Sequence, residues 1–463
     1  VEHKANIGLY AADYLGTYKT RIGNVLAKRF KRNLDKIFLS FGGKMLFRVD
    51  ELYSDQEKIK SLAAEILPKL KTKEDVLNLE TEGIKVGDLI YDTYLRYADK
   101  PQLDLKDPYL ETLLLQTLNI LFVSRKKIEE YNVVALVSSY TTYIYHGIAV
   151  RVCLQKNIPV YTVGAYYSLV HKVRKEFPSH ANNHYLFKEL FEQVKDKETL
   201  ADGYKEIFEN RFKGKIDSAT AYMKESAFSA ATNTELDGID WNNTVVVLAH
   251  CFFDSPHIYR DLLFPDFYDW MIFTLEELKK QTGLTVLVKQ HPNGLPMNEP
   301  LFAELAARYA NTNIRFIDKK TSQLQIINSR PAAIITAYGT AAAEFAYQGF
   351  PVITIYDNPF TSYDFTHLAN SKDEYRKLLQ DVLKLEPRQH QREILEYYYM
   401  QYFFFLQGRE MDYMMCAKYK GVTYSESFLA EYLPHMTDSF FQMIDANMAE
   451  GLRLCEWETA VLK

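Results

Sequence analysis

The sequence predicts an α/β protein of two doubly wound domains followed by a helical segment. Three observations lead there. Strand-like and helix-like segments alternate repeatedly between residues 244 and 356, joined by short loops, as in a parallel sheet with helices on its faces. A looser version of the same alternation precedes them. At 463 residues the chain is also too long for a single hydrophobic core.

The first α/β domain is expected over residues 1–240. Its clearest helix is "DPYLETLLLQTLNILFVSRKKIEEY" (107–131). A strand "NVVALVSS" (132–139), a helix (141–157) and a strand "IPVYTVGAYYS" (158–168) follow. The stretch 218–243 reads as a linker. The second domain, 241–385, opens on "TVVVLAH" (244–250), a short β-branched run of the kind that fills a buried strand. A helix (268–281), the strand "TVLVKQ" (285–290) and a helix with Pro300 near its first turn come next. The strand "IRFI" (314–317), a short helix (322–329), the strand "AAIITAY" (332–338), a helix closed by Gly349 and the strand "PVITIY" (351–356) complete the pattern. From 386 to 463 the chain reads helical. Such a tail is expected to pack back on the first domain.

Composition sets the outer bounds. A net charge of −5 gives no global electrostatic case for nucleic acid as a partner. Aromatics are abundant, with 34 Tyr and 28 Phe; tyrosine suits sugar or nucleotide recognition and also plain packing. Cys153, Cys251, Cys416 and Cys455 are far apart, which argues against a disulfide scaffold or zinc ribbon and favours a reducing, cytoplasmic compartment. No apolar run approaches the roughly 18–20 residues of a membrane span. The first residues, "VEHKANIGLY", lack an initiator Met and a signal-peptide pattern, as in an excerpt of a longer chain. The basic run at 19–36 reads plainly as a solvated amphipathic helix. Its sharper reading is a peripheral contact with the inner face of an anionic membrane.

In a doubly wound sheet, ligands bind outside the carboxyl ends of the strands, and three such ends here are polar or glycine-bearing. The first is Lys289–Gln290–His291–Pro292–Asn293. Proline cannot continue the ladder, so His291 is held at the rim, where it can donate to a phosphate oxygen with Lys289 adding charge. A histidine satisfied by a neighbouring carbonyl is the alternative. The second is Tyr338–Gly339–Thr340, where glycine permits close backbone approach and a helix begins. Glu344, one turn in, can accept from ribose hydroxyls; tight helix–sheet packing explains the same residues. The third is the long loop after the first strand, with His250, Cys251, Asp254 and His257. These are metal-ligand types without a recognisable zinc spacing, and no metal is assigned.

Together, "VLVKQHPN" and "SRPAAIITAYGTAAAEFAYQGFPVITI" resemble the donor half of GT-B glycosyltransferases. The likeness is to those that build bacterial capsule and O-antigen polysaccharide, including β-Kdo transferases and sialyltransferase-like relatives. The histidine–proline and glycine-turn arrangement also recurs in teichoic-acid polymerases. The resemblance covers about 244–357, and more loosely "EGIKVGDLIYDTYLRY" (82–97). It implies two Rossmann-like domains facing across a cleft, with His291, Gly339 and Thr340 on the donor phosphate and Glu344 on the nucleotide. The donor-binding set is then Lys289, His291, Asn293, Tyr338, Gly339, Thr340 and Glu344.

In the first domain Asp88, Asp92 and Arg96 fall at i, i+4 and i+8, on one face of a helix. A surface salt-bridge ladder is the plain reading. The functional one makes Asp92 a catalytic base or nucleophile, with Asp88, Arg96 and His257 on the acceptor or an anionic group. Asp254 and His250 are the other catalytic candidates. The expected function is transfer of a sugar from an activated donor, CMP-Kdo being the first to test on the resemblance, to a saccharide or lipid-linked acceptor in surface polysaccharide synthesis. No cofactor is expected, the nucleotide-sugar being a substrate. A sugar-nucleotide epimerase, a phosphoribosyl-diphosphate-dependent transferase and a metallohydrolase on His250, Asp254 and His257 are the alternatives.

Overall fold

The computed structural model of the chain describes residues 8–11, 39, 44–98, 100–164, 167–181, 184–217, 226–228, 233–259, 262–291, 294–388, 390–405, 427, 430–431 and 433–461. The basic run at 19–36, Pro292 and Asn293 lie outside the described residues. The chain divides into two compact units. One comprises 1–162 with 172–180, the other 163–171 with 181–463.

The first unit is mainly helical. Asp107 accepts from the Tyr109 N–H at 2.9 Å and Pro108 opens the helix Pro108–Glu130, so its start is fixed by side-chain cap and proline together. This helix packs on Tyr143–Gln155, and both pack on Gly87–Tyr97. Close approach depends on Gly147: a Cβ there would stand 2.5 Å from the Leu89 side chain and from the Thr141 carbonyl. Between the helices the strand Leu136–Ser138 pairs in parallel with Val160–Thr162. The predicted strand–helix–strand alternation is therefore present, with a shorter first strand than expected.

The second unit contains a six-stranded parallel sheet: β1 (Thr244–Leu248), β2 (Thr285–Lys289), β3 (Ile314–Ile317), β4 (Ala333–Thr336), β5 (Val352–Ile355) and β6 (His367–Ala369). Their order is β3-β2-β1-β4-β5-β6, and every neighbouring pair is parallel. All residues of β1, β4 and β5 are buried, which explains their unbroken apolar composition. The strand order reverses direction between β1 and β4, which makes their carboxyl ends the topological switch point of the sheet. Strand β6, three residues long, and the helix Lys372–Gln380 were not anticipated from the sequence.

The units divide the chain differently from the sequence-derived boundaries. Residues 181–240 belong with the large sheet, and so do the helices after 385. Within the second unit, Lys197–Arg211 packs on Gln391–Tyr399, which also packs on Thr340–Tyr347. The last helix, Asp438–Val461, buries Asn447, Gly451, Leu454 and Cys455. Among the described residues no helix is long and apolar enough to cross a membrane.

Candidate functional site

The carboxyl ends of β1, β2 and β4 bring His250, Lys289, His291, Tyr338 and Gly339 into one neighbourhood of the second unit. The chain turns out of β4 at Gly339, whose φ of +123° is a conformation that L side chains rarely adopt. A Cβ at Gly339 would lie 3.4 Å from His250 Nε2. Thr340 is the first residue of the next helix, Thr340–Tyr347, and Gly339 at its N-cap offers no side chain to the leading N–H groups. The helix end is thereby left for a ligand to cap.

His250 Nε2 lies 2.7 Å from the Tyr338 carbonyl. A carbonyl only accepts, so Nε2 carries the proton and the neutral ring presents Nδ1 as a base. The ring stacks on Phe267, with centroids 4.5 Å apart, and leans on Tyr338 at 4.6 Å. Burial pushes its pKa below the ordinary histidine range, against the pull of the Asp254 carboxylate and the carbonyl hydrogen bond. Asp254 itself is exposed, accepting from the Ser255 N–H at 3.1 Å.

Lys289 ends β2 and is 2% exposed. Among the described residues no hydrogen bond or ion pair is formed by its ammonium. Burial lowers its pKa to about 8, with only the more distant Asp318 opposing. His291, two residues on, is lowered to about 4 by burial, by His250 and by Lys289. The site therefore gathers one buried cation and two imidazoles that burial holds uncharged. A buried charge without a partner is costly, and an anion seated beside it would relieve that cost.

Glu344 is placed differently. It is 3% exposed, and its Oε1 accepts from Arg211 Nη2 at 2.7 Å. Arg211, in the last turn of Lys197–Arg211, carried no sequence signal, because its partner lies over a hundred residues away. Asp318 was not singled out either: it follows Ile317, whose pairing in register with Lys289 only the fold supplies.

In the third loop, Cys251 Sγ accepts from Asn298 Nδ2 at 3.3 Å, and His257 sits half-buried in a short turn, Pro256–Ile258. Among the described residues no three or more His, Cys, Asp or Glu side chains form a metal-holding group, so the metallohydrolase alternative gains no geometric support.

In the first unit, Asp88, Asp92 and Arg96 do share the helix Gly87–Tyr97. Asp88 pairs with Arg151 through two contacts of 2.6 Å, across to another helix. Asp92 is 2% exposed and Arg96 half-buried, so the three do not form an exposed ladder along one helix.

No known protein family matches the chain, and neither does any curated protein. Among solved structures it is similar to Thermosulfurimonas dismutans KpsC, a beta Kdo 2,4 transferase, with 12% identity over 58% of this chain and 79% of that one and a TM-score of 0.35. It is also similar to the Methanocaldococcus jannaschii UDP-GlcNAc 2-epimerase, with 14% identity over 61% and 79% and a TM-score of 0.28. For CalG4, the calicheamicin glycosyltransferase, the values are 11%, 71%, 82% and 0.22. Similarities this distant leave the function to be argued from the chain's own residues.

Proposed function

We propose that the chain is a glycosyltransferase of the GT-B kind, acting on a nucleotide-linked sugar whose phosphate seats at the carboxyl ends of β1, β2 and β4. The observation that carries this reading is Lys289, a buried lysine at the carboxyl end of β2, one strand from the switch point of a Rossmann-ordered sheet, whose ammonium has no partner among the described residues. The residue-level resemblance around His291 and Gly339 supports the same assignment. In the transfer, an acceptor hydroxyl oxygen bonds to the anomeric carbon while the bond from that carbon to the donor phosphate breaks. The electron pair passes to the phosphate, where Lys289, His291 and the first N–H groups of Thr340–Tyr347 stabilise the growing charge. The hydroxyl proton passes to a base, for which His250, Asp254 and Asp92 are the candidates. The acceptor is a saccharide, and the pathway that of a surface polysaccharide.

A thermal-shift series with CMP, CDP, UDP, GDP and phosphoribosyl diphosphate tests the donor site, because a ligand that binds the native state raises its apparent stability. Product analysis with the matching sugar nucleotide then separates transfer from epimerisation. A chain stabilised by none of these ligands would not have the proposed donor site. In the transfer assay, Asp92→Asn and Asp254→Asn identify the base by a loss of about a hundredfold or more in turnover with donor binding retained.

A further inference from the structure

The charged cluster behind the site was not foreseen from the sequence. Arg211 is 3% exposed and enclosed by carboxylates and aromatic rings. Its Nη2 donates to Glu344 at 2.7 Å and its Nε stands 3.7 Å from Asp217. The guanidinium lies over the Tyr398 ring at 5.6 Å and near the Phe208 ring at 5.9 Å. The Tyr398 hydroxyl donates to Asp217. Burial alone would lower the Arg211 pKa; Glu344 and Asp217 outweigh it and raise it. A second polar link runs parallel to the first: the Tyr347 hydroxyl donates to Glu209 at 2.8 Å. Residues 344 and 347 share a face of Thr340–Tyr347, and 209 and 211 belong to the last turn of Lys197–Arg211. Two polar ties therefore fix one short helix to a longer one, and Gln391–Tyr399 closes the third side through Tyr398.

We propose that the Arg211–Glu344 pair positions the helix whose first turn forms the anion site, and that Glu344 acts through Arg211 rather than on a ligand. For stability alone this pair is a poor choice. An apolar pair of similar volume commonly does as well, and Arg211 Nη1 is buried without a hydrogen-bond partner among the described residues. What an ion pair supplies that an apolar pair does not is a fixed orientation about the helix axis. Thr340–Tyr347 is only eight residues long, so a small rotation at Glu344 is carried directly to Gly339 and Thr340. The inference rests on the proposed donor site for its ligand arm and is independent of it in its dynamic arm.

The test compares Arg211→Met, Arg211→Lys and the double variant Arg211→Met with Glu344→Leu, using hydrogen exchange and calorimetric binding of inorganic pyrophosphate. In Arg211→Met, amides of residues 340–344 should exchange about tenfold faster or more, while those of β1 keep wild-type protection. Its pyrophosphate affinity should fall about tenfold, and Arg211→Lys should restore part of both losses. If Arg211→Met does not fold, the lysine and double variants decide. The double variant should fold and keep the faster exchange and weaker binding, because packing is restored but orientation is not. Wild-type exchange and affinity in the double variant would overturn the proposal and leave the pair a structural role only. Normal exchange with lost affinity would also overturn it, by showing that Arg211 affects the anion without positioning the helix. A wild-type chain that binds no pyrophosphate would count against the donor site, and the exchange arm would still decide the positioning role.

Discussion

At the scale of single residues, the site opposes stability to binding. Lys289 is held in a buried position with no partner for its charge among the described residues, so Lys289→Met should stabilise the fold by about 1–3 kcal/mol at neutral pH. The same variant should lose pyrophosphate or nucleotide binding. Chemical denaturation and calorimetry on one preparation measure both, and a destabilised variant would show that Lys289 serves the fold. Gly339→Val is expected to abolish binding, since a side chain there meets both a positive φ and the His250 ring; retained binding in the folded variant would count against close backbone approach. His291 sets a pH dependence. Its folded pKa of about 4 lies below the unfolded value of about 6.5. The unfolded chain therefore takes up a proton first, and stability falls as pH drops from about 6.5 towards 4. Urea titrations across that window should show a flatter profile for His291→Gln. Of these residues, His291, Lys289 and Gly339 were legible because proline, strand ending and glycine turn mark themselves locally. Arg211 was not, since a buried arginine is defined by a partner that only the fold supplies.

At the scale of elements, what was legible follows burial. Strands β1, β4 and β5 are buried throughout and read directly from β-branched runs. Strand β6, "HLA", is too short for any periodicity, and its pairing with β5 comes from tertiary context. The helix Lys372–Gln380 buries only Tyr375 and Leu379, so its apolar signal is thin, although Ser371 caps it through the Glu374 N–H. The last helix docks through a glycine. At Gly451 a Cβ would stand 2.3 Å from the Val170 nitrogen and 2.8 Å from its carbonyl, and Cys455 donates to that carbonyl at 3.4 Å. Gly451→Ala gains helix propensity of up to about 1 kcal/mol, yet it should lose more by forcing the helix off the backbone beneath it. Faster exchange across 447–458 in that variant, with β1 unchanged, would report the undocking. An unchanged or raised stability would show that the backbone beneath can yield.

At the scale of the whole molecule, two separate cores are present. One gathers residues from Val49 to Val173, the other from Leu186 to Leu454 around the large sheet. Differential scanning calorimetry should resolve two transitions, and a nucleotide that binds as proposed should raise only the one belonging to the sheet. A single transition moved as a whole by ligand would mean that the cores unfold together. The sequence led to two domains by length and alternation but placed the boundary near 240. Short helices and irregular segments between 181 and 240 carry no boundary signal, and only their packing assigns them to the second core.

The division between the units has a consequence for synthesis. Residues 163–171 belong to the second unit and 172–180 to the first, so the chain passes between the two three times within twenty residues. The first unit also needs its late segment: His180 Nδ1 accepts from the Thr141 N–H at 3.2 Å, and the His180 N–H donates to Thr141 Oγ1 at 2.7 Å. On the ribosome, where residues emerge in order, the first core cannot be completed until part of the second has already been made. A nascent chain stalled before residue 180 has cleared the exit tunnel should therefore lack the protease resistance of one stalled after it.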